Sequence, residues 1–214
     1  MTPVGGVPFD GAVLTGGGST RIGEDKSLLV VRGRAMAAIV ATAVRDAGAD
    51  GVVAVGGDAP RLDALGVFDR VLADAHPGEG PLGGLLSAVA ASTAPVVVVL
   101  ACDTPELTAE TPRALVTALV DADADVAVGT VDGREQPLTA AWRRESVAPI
   151  ARSLFLAGER APRTLLRLLR CARVELPPDA VRDVDRPEDL ARYAPERSDA
   201  GPPDHRPSAD RREP

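Results

Sequence analysis

Residues 12–26 read Ala12-Val-Leu-Thr-Gly-Gly-Gly-Ser-Thr-Arg-Ile-Gly-Glu-Asp-Lys26, an apolar run followed by a glycine-rich loop. The apolar run predicts a buried strand, and glycines directly after a strand let backbone N–H groups turn toward an anion. The loop ends at Lys26, the only lysine among the 24 Lys and Arg residues of the chain. Because a compact ammonium suits a crowded phosphate better than a planar guanidinium does, the stretch predicts a loop that binds nucleotide phosphates.

The spacing of this loop separates it from the two commonest phosphate-binding motifs. A P-loop would place lysine directly after its second glycine, but Glu24 follows Gly23. The dinucleotide fingerprint would place a third glycine where Arg21 stands. What remains is a longer loop whose two cations, Arg21 and Lys26, can hold a triphosphate from opposite sides. The alternative interpretation is a glycine hairpin with incidental charges.

The length and net charge of the chain limit its domains and partners. With 214 residues it has the length of one well-buried domain, which we place at residues 8–194. Its net charge is -7 and its sequence pI is near 4.9. An acidic surface repels polyanions, so we expect neither nucleic acid nor a membrane among its partners. Phosphate binding must then be confined to a local site.

Neither the start of the chain nor its cysteines point to export. Residues 1–8 show no basic region followed by an apolar segment, and no run approaches the about 18 apolar residues of a membrane span. We therefore expect a cytoplasmic protein. Cys102 and Cys171 lack the paired spacing of a metal site or a redox motif, so we expect two buried, reduced thiols.

Short valine-rich runs alternate along the chain with longer Ala/Leu segments of helical period. This alternation is typical of a parallel sheet covered by helices. The sequence therefore predicts an α/β protein with a three-layer, doubly wound, mostly parallel sheet. The predicted strands are 11–14, 51–55, 70–73 and 95–101, and the predicted helices are 36–47, 82–92 and 112–120, the last capped by Thr111 before Pro112.

The pattern changes after residue 120. Residues 125–130 and 138–142 predict two strands joined by a polar turn at 131–137, which makes an antiparallel extension of the sheet. Residues 146–157 predict a helix ended by Gly158, and Pro162 opens a second helix. An apolar stripe on that helix is predicted to be core; its members are Leu165, Leu166, Leu168 and Leu169. The tail, 195–214, has five prolines and no large apolar residue, which predicts disorder.

A second chemical site follows the apolar run Pro95-Val-Val-Val-Val-Leu-Ala-Cys-Asp-Thr-Pro105. A strand this apolar is buried on both faces, and its end delivers Asp103 to the carboxyl edge of the sheet, where ligands bind in open α/β folds. Arg21 and Lys26 come from the first strand's loop at the same edge. We therefore predict that Asp103 holds a Mg²⁺ that bridges the phosphates. The alternative is that Asp103 caps a turn into the next helix.

A third segment, residues 73–84, also follows a predicted strand. Its glycines allow a flat ligand to approach the backbone, and Asp74 could accept hydrogen bonds from a base edge or a ribose hydroxyl. A lone histidine beside a proline is usually exposed, so His76 is given no chemical role. Taken alone, this segment is a weak signal.

Together these motifs resemble a known family. The loop from Leu14 to Lys26 is similar to the signature loop of the nucleotidyltransferases that attach a nucleotide to the molybdenum cofactor. Later segments follow in that family's order, and the resemblance covers residues 10–193. They are Gly80-Pro-Leu-Gly-Gly84, Cys102-Asp-Thr-Pro105, Gln136-Pro-Leu138, Ala157-Gly-Glu-Arg160 and Asp185-Arg-Pro-Glu-Asp-Leu190.

The resemblance implies a Rossmann-like nucleotidyltransferase fold and, among the guanylyl members, transfer of GMP from GTP to molybdopterin with release of pyrophosphate and a need for Mg²⁺. The catalytic residues would be Arg21, Lys26 and Asp103, with Asp103 as the metal ligand. The nucleotide contacts would be Leu14, Thr15, Gly16, Gly17, Ser19, Lys26, Val55, Asp74, Gly80 and Asp103. The acceptor contacts would be Gln136, Asp183 and Asp185, together with Arg160 and Arg163 at the entry to the late helix. Ordinary surface roles are the alternative for these two arginines.

Two details of the resemblance concern the choice of nucleotide and acceptor. Gly16-Gly17 resembles the guanylyl members, whereas cytidylyl relatives tend to have alanine in place of the first glycine; this favours GTP. Asp183 and Asp185 stand where guanylyl members often have asparagine and cytidylyl or sugar-nucleotide relatives often have aspartate. Transfer of CMP to molybdopterin, or of a nucleotide to a sugar phosphate or phospholactate, therefore stays open.

The remaining alternatives lie outside this family's chemistry. A nucleotide-binding regulatory protein without catalysis is one, although the presence of Arg21, Lys26 and Asp103 argues against it. An NAD-dependent oxidoreductase is the other, and the failed fingerprint disfavours it. Besides GTP and molybdopterin, the partners expected of the guanylyl enzyme are a receiving molybdoenzyme or other cofactor-biosynthesis proteins.

Overall fold

The computed structural model describes residues 4–16, 25–185 and 187–193. Its strands are β1 (Phe9–Leu14), β2 (Val30–Val31), β3 (Arg34–Ala35), β4 (Val52–Val55), β5 (Arg70–Leu72), β6 (Val96–Ala101), β7 (Val126–Val131), β8 (Arg134–Arg143) and β9 (Cys171–Glu175). Its α-helices are α1 (Met36–Asp46), α2 (Ala59–Asp63), α3 (Pro81–Ala91), α4 (Glu110–Asp121), α5 (Arg144–Leu156) and α6 (Pro187–Ala191). Short 3-10 helices cover Val4–Gly6, Lys26–Leu28, Pro162–Arg167 and Pro178–Val181. The predicted disordered tail lies outside the described residues.

Seven strands form the central sheet in the order β5-β4-β1-β6-β8-β7-β9. Neighbouring strands are parallel except for β8, which runs antiparallel to both β6 and β7. Strands β2 and β3 form a separate antiparallel hairpin. The predicted mostly parallel sheet with an antiparallel extension is confirmed.

The strands bury alternate residues on the two faces of the sheet, as the period of two requires. Val13 and Val98 face one side, where α1 and α4 pack, while Ala12 and Val99 face the other, where α3 and α5 pack. Two helical layers therefore enclose the sheet, and both of its faces are core. This explains why β6 reads as an unbroken apolar run rather than as an alternating one.

Two predicted boundaries differ from the structure: the turn between β7 and β8, and the start of α4. The hairpin between β7 and β8 turns at Asp132 and Gly133, both with positive φ, so the predicted seven-residue turn at 131–137 was wrong. An Asp-Gly pair makes this tight two-residue turn, and β8 resumes at Arg134. Thr111 is not the helix cap, because α4 starts at Glu110 and Thr111 is buried in its first turn.

Three predictions about the late segment and the thiols also need correction. Pro162 opens a short 3-10 helix, Pro162–Arg167, rather than an α-helix. In the predicted stripe, Leu165 and Leu166 are buried but Leu168 is 57% exposed, because it lies past the end of that short helix. Cys102 is buried as predicted, whereas Cys171 on the edge strand β9 is only half-buried.

The C-terminal segment, residues 183–185, packs against the residues that follow the glycine-rich loop. Val184 is buried against Leu29, Val31 and Met36, and its N–H donates to the carbonyl of Asp103 at 3.0 Å. This contact anchors residues 183–185 beside the end of β6. Through Val184, the same segment also packs against the β2–β3 hairpin.

An ion pair between the starts of β7 and β9 yields a prediction about pH. Two side-chain nitrogens of Arg170 donate to Asp125, at 3.0 and 3.1 Å, and lower the pKa of Asp125 to about 2. The stabilisation is present above the ordinary carboxyl pKa and is lost as the pH falls toward 2. We expect it to be about 1 kcal/mol, since Arg170 is 60% exposed and solvent screens the pair.

Asp125→Asn should therefore lower the free energy of unfolding at neutral pH, and the difference from wild type should vanish toward pH 2. Chemical denaturation from pH 7 to pH 2 measures this. Asp121→Asn, at the exposed end of α4, is the matched control and should follow the wild-type curve. A constant difference at every pH would contradict the prediction.

Candidate functional site

Lys26 and Asp103, predicted from separate motifs, meet in the structure. The Lys26 Nζ lies 2.7 Å from Asp103 Oδ2 and also donates to Asp185 Oδ1. The Lys26 side chain is only 10% exposed, against 24% for Asp103 and 57% for Asp185. A nearly buried ammonium thus lies between a carboxylate at the end of β6 and one from the C-terminal segment.

The pKa of Lys26 reflects two opposing effects. Burial lowers the pKa, but the hydrogen bonds and attraction from Asp103 and Asp185 outweigh it and raise the pKa above its ordinary value. Lys26 is therefore a full positive charge at neutral pH. A charge of this kind, held close to the sheet edge, is available to an anionic ligand.

Asp25 holds the backbone around Lys26 in place, a role that the sequence analysis missed. Its Oδ1 accepts from the N–H and the hydroxyl of Ser27, and its Oδ2 accepts from the N–H of Asp58 at 2.9 Å. The same carboxylate therefore starts the Lys26–Leu28 turn and ties it to the loop after β4. An aspartate two residues before a serine is a turn-capping pattern, and it was the available signal.

The ends of β1 and β4 come into backbone contact. The N–H groups of Thr15 and Gly16 both donate to the carbonyl of Val55, at 2.9 and 3.0 Å, and the Thr15 hydroxyl donates to Val55 and Gly56. A Cβ on Gly56 would lie 2.6 Å from the Cα of Gly16, so only glycine fits there. Four of the predicted nucleotide contacts, from Leu14 to Gly16 and Val55, thus lie at one sheet edge.

Asp74 lies at the same edge, just after β5. A Cβ on Gly56 would be 3.7 Å from the Asp74 Cβ, which places Asp74 next to the Gly16–Gly56 contact. Its Oδ1 accepts from the hydroxyl of Ser87 at 2.9 Å and from the N–H of His76 at 3.0 Å. Ser87 on α3 therefore orients this carboxylate, a role that no sequence motif predicted.

Asp183 adds a third carboxylate to the Lys26 cluster. Partial burial, together with the negative charges of Asp185 and Asp103, raises its pKa, although the residue as a whole is exposed. Cys102, between the strand and Asp103, takes no part, since burial raises the pKa of its thiol well beyond neutral pH. The cluster is thus made of carboxylates and one ammonium.

Gly80 and Arg160 are brought together at the start of α3. A Cβ on Gly80 would lie 3.1 Å from the Cβ of Arg160, and the carbonyl of Arg160 accepts from the N–H of Leu82 at 3.0 Å. The Arg160 guanidinium pairs with Glu79 at 3.0 Å and lies over the ring of Phe155. In this structure Arg160 therefore supports the turn before α3, and its predicted contact with the acceptor stays a prediction.

Gln136 lies on β8, and Arg163 lies on the Pro162–Arg167 turn. The β6–β8 ladder ends with Leu100 opposite Thr139, and the β7–β8 register shifts between Ala140 and Gln136. The strand register therefore does not place Gln136 beside Asp103, and its predicted contact with the acceptor stays a prediction. Arg163 is exposed, and its side chain makes no hydrogen bond or ion pair with the other predicted site residues that the structure describes. Gly17, Ser19 and Arg21 lie outside the described residues.

Two negative findings concern metals and membranes. Among residues 4–16, 25–185 and 187–193, no three His, Cys, Asp or Glu side chains form a metal-binding group. No helix in the described part of the chain is long and apolar enough to cross a membrane.

The fold and this site define an α/β protein of the nucleotidyltransferase class, with a lysine and carboxylates at the carboxyl edge of a mostly parallel sheet. More particularly, the chain belongs to the family of MobA-like NTP transferase domains, whose sequence profile matches residues 11–175.

Relatives with known names support this assignment. The chain is 36% identical over 171 residues to the molybdenum cofactor guanylyltransferase of Xanthomonas euvesicatoria pv. vesicatoria, covering 78% of this chain and 82% of that protein. It is 35% identical over 174 residues to the protein of the same name from Burkholderia lata, covering 77% and 84%. The resemblance to the nucleotidyltransferases of the molybdenum cofactor is therefore confirmed.

Solved structures share the fold. The molybdopterin-guanine dinucleotide biosynthesis protein A of Archaeoglobus fulgidus superposes with a TM-score of 0.70 at 23% identity, covering 86% of this chain and 96% of that one. The 2-C-methyl-D-erythritol 4-phosphate cytidylyltransferase of Thermus thermophilus superposes with a TM-score of 0.66 at 18% identity, covering 85% and 95%. Proteins whose names refer to different nucleotides thus share this architecture.

Proposed function

We propose that this protein transfers GMP from GTP to molybdopterin and releases pyrophosphate. The observation that carries the proposal is the buried Lys26 ammonium, held against Asp103 at the end of the glycine-rich loop. The names of the relatives at 35–36% identity support guanylyl transfer in particular. The reaction would take place in the cytoplasm, with a molybdoenzyme or another cofactor-biosynthesis protein receiving the product.

The chemistry requires positioning and charge neutralisation rather than a covalent intermediate. The acceptor phosphate is already ionised, so it can attack the α-phosphorus of GTP without a general base. Two anions must approach each other, and Lys26 would neutralise part of this charge as the pyrophosphate leaves. Arg21, in the loop before Lys26, would do the same from the other side of the triphosphate.

Asp103 and Asp185 fit the requirements of a Mg²⁺ site. Both carboxylates contact the same Lys26 Nζ, so both can reach one cation at that position. Mg²⁺ in proteins is usually held by one or two carboxylates, with substrate phosphates and water completing its shell, so a larger protein group is unnecessary. When bound, Mg²⁺ would withdraw charge from the phosphate oxygens.

The nucleotide would lie across the edge formed by β1, β4 and β5. Thr15 and Gly16 would contact the nucleoside through their backbone carbonyls, because their N–H groups already donate to Val55. Leu14, Gly17, Ser19, Val55 and Gly80 would lie around them. Asp74, oriented by Ser87, would accept from the amino and imino groups of guanine, which present donors side by side. This donor pair is absent from adenine and cytosine, so Asp74 would contribute to the choice of GTP.

The acceptor would approach from the side of the C-terminal segment. Asp183 lines a cavity of about 260 Å³ with Arg182, Arg192 and Tyr193, directly beside the Lys26 cluster. Gln136, on β8, would be a further contact for the acceptor. Arg160, beside the start of α3, and Arg163, on the Pro162–Arg167 turn, remain proposed contacts for the acceptor phosphate.

One observation keeps a second function in view. Asp183 and Asp185 put carboxylates where aspartate is more typical of CTP-using relatives, and the fold is shared with a cytidylyltransferase. The alternative is therefore a molybdopterin cytidylyltransferase.

Isothermal titration with GTP, CTP and ATP, with and without Mg²⁺, tests the proposal. We expect GTP to bind tightly only with Mg²⁺, and we expect pyrophosphate release from GTP when molybdopterin is added. Preferred binding of CTP would move the assignment to cytidylyl transfer. Failure to bind any nucleotide would overturn the enzyme assignment.

A further inference from the structure

Lys26 holds the position that a divalent cation would need. Its Nζ contacts Asp103 Oδ2 and Asp185 Oδ1, the same two carboxylates that fit Mg²⁺. The Lys26 side chain is 10% exposed, so the ammonium fills the space between these carboxylates rather than extending into solvent. Two cations cannot share that space without strong repulsion.

Lys26 brings one positive charge to the two carboxylates that it contacts, Asp103 and Asp185. A divalent cation carries two, and it attracts the same carboxylates more strongly at the same distance. The lysine would then be released toward the other anion at this edge, the nucleotide triphosphate.

The local structure allows the side chain of Lys26 to move while its backbone stays fixed. Asp25 anchors the turn because its carboxylate accepts from the N–H of Ser27, the residue after the lysine, and from the N–H of Asp58 in the loop after β4. The stem itself has four rotatable carbons and a point charge without directional preference. The Lys26 ammonium can therefore move from the carboxylates to the phosphates by rotation of its own side chain.

We propose that Lys26 is a resident cation that keeps divalent metal out of the nucleotide-free protein, so that metal enters only together with the nucleotide. The phosphates draw the ammonium off Asp103 and Asp185, and the carboxylates then receive the metal. This inference rests on the proposed function. It adds an order of events: the nucleotide and its metal bind as one unit, and free metal does not occupy the site beforehand.

Direct metal binding to the nucleotide-free protein tests the exclusion. Mn²⁺, as a paramagnetic stand-in for Mg²⁺, is titrated into wild type, Lys26→Met and Lys26→Arg, and free Mn²⁺ is followed by electron paramagnetic resonance. We expect Lys26→Met to bind Mn²⁺ about tenfold or more tightly than wild type, because a competing charge is gone. Lys26→Arg keeps that charge and should bind as weakly as wild type.

Two further variants assign the effect to this site. Arg152→Met removes one positive charge from the exposed face of α5 and should leave Mn²⁺ affinity unchanged. Asp185→Asn in the Lys26→Met background should lose most of the gained affinity. Equal Mn²⁺ affinity in wild type and Lys26→Met, with thermal unfolding showing that both are folded, would overturn the proposal.

The single lysine permits a second test without any substitution. Untagged protein labelled with ¹³Cε-lysine gives one side-chain resonance, that of Lys26. We expect Mg²⁺ alone to leave this resonance in place and GTP with Mg²⁺ to shift it. A shift saturating with Mg²⁺ alone would overturn the exclusion, whereas the absence of any GTP effect in this test and in calorimetry would count against the proposed function instead.

Discussion

Asp103→Asn is expected to lower the rate of nucleotidyl transfer by about a thousandfold while leaving the protein folded. Asparagine has the shape of aspartate, and the carbonyl of residue 103 still accepts from Val184. The substitution removes one of the two carboxylates of the proposed Mg²⁺ site and the negative charge that pairs with Lys26. We expect kcat to fall more than the KM for GTP rises, since the lost interaction matters most as charge moves to pyrophosphate.

Initial rates of pyrophosphate release across a Mg²⁺ series measure this effect. The variant should also need more Mg²⁺ for its half-maximal rate. Asp63→Asn, at the exposed end of α2, is the matched control and should retain wild-type rates. Activity of Asp103→Asn within a few-fold of wild type would mean that Asp103 only pairs with Lys26 and has no part in catalysis.

The fold could be predicted from the sequence because the patterns that indicate its strands and helices are local and repeated along the chain. Alternation of valine-rich runs with helical segments predicted the layers, and the unbroken apolar run before Asp103 predicted a strand buried on both faces. The same logic placed Lys26 and Asp103 at one edge, since both follow parallel strands. Their direct contact at 2.7 Å needed only that edge and the long side chain of Lys26, which reaches the short carboxylate of Asp103.

The features that the sequence did not predict depend on contacts between segments far apart in the chain. Nothing in residues 183–185 indicates that Val184 packs against the β2–β3 hairpin, because that packing exists only once α1 and the C-terminal segment are in place. Ser87 was overlooked for a similar reason: its partner, Asp74, is 13 residues away in the loop after β5. Exposed Leu168 was misplaced because a helical period was assumed where the chain makes a short 3-10 turn.

Gly56→Ala is expected to have the largest effect on stability of any single-methyl change at this edge. The added Cβ would lie 2.6 Å from the Cα of Gly16 and 2.8 Å from its nitrogen, and neither backbone atom can rotate away. Gly56 also has a φ of 84°, which alanine adopts at a cost. We expect a loss of roughly 4 kcal/mol in the free energy of unfolding and of about 10 °C in Tm.

Gly66→Ala separates these two causes. Gly66 has a φ of 64° as well, but no atom lies within 4 Å of an added Cβ. It should lose only about 1 kcal/mol, the cost of the backbone conformation alone. Because the clash in Gly56→Ala displaces Gly16, that variant should also lose GTP affinity, whereas Gly66→Ala should keep it. If denaturant titrations show equal losses of unfolding free energy in the two variants, the close approach of Gly16 to Gly56 contributes nothing to stability. The ends of β1 and β4 would then lie less tightly together than their hydrogen bonds indicate.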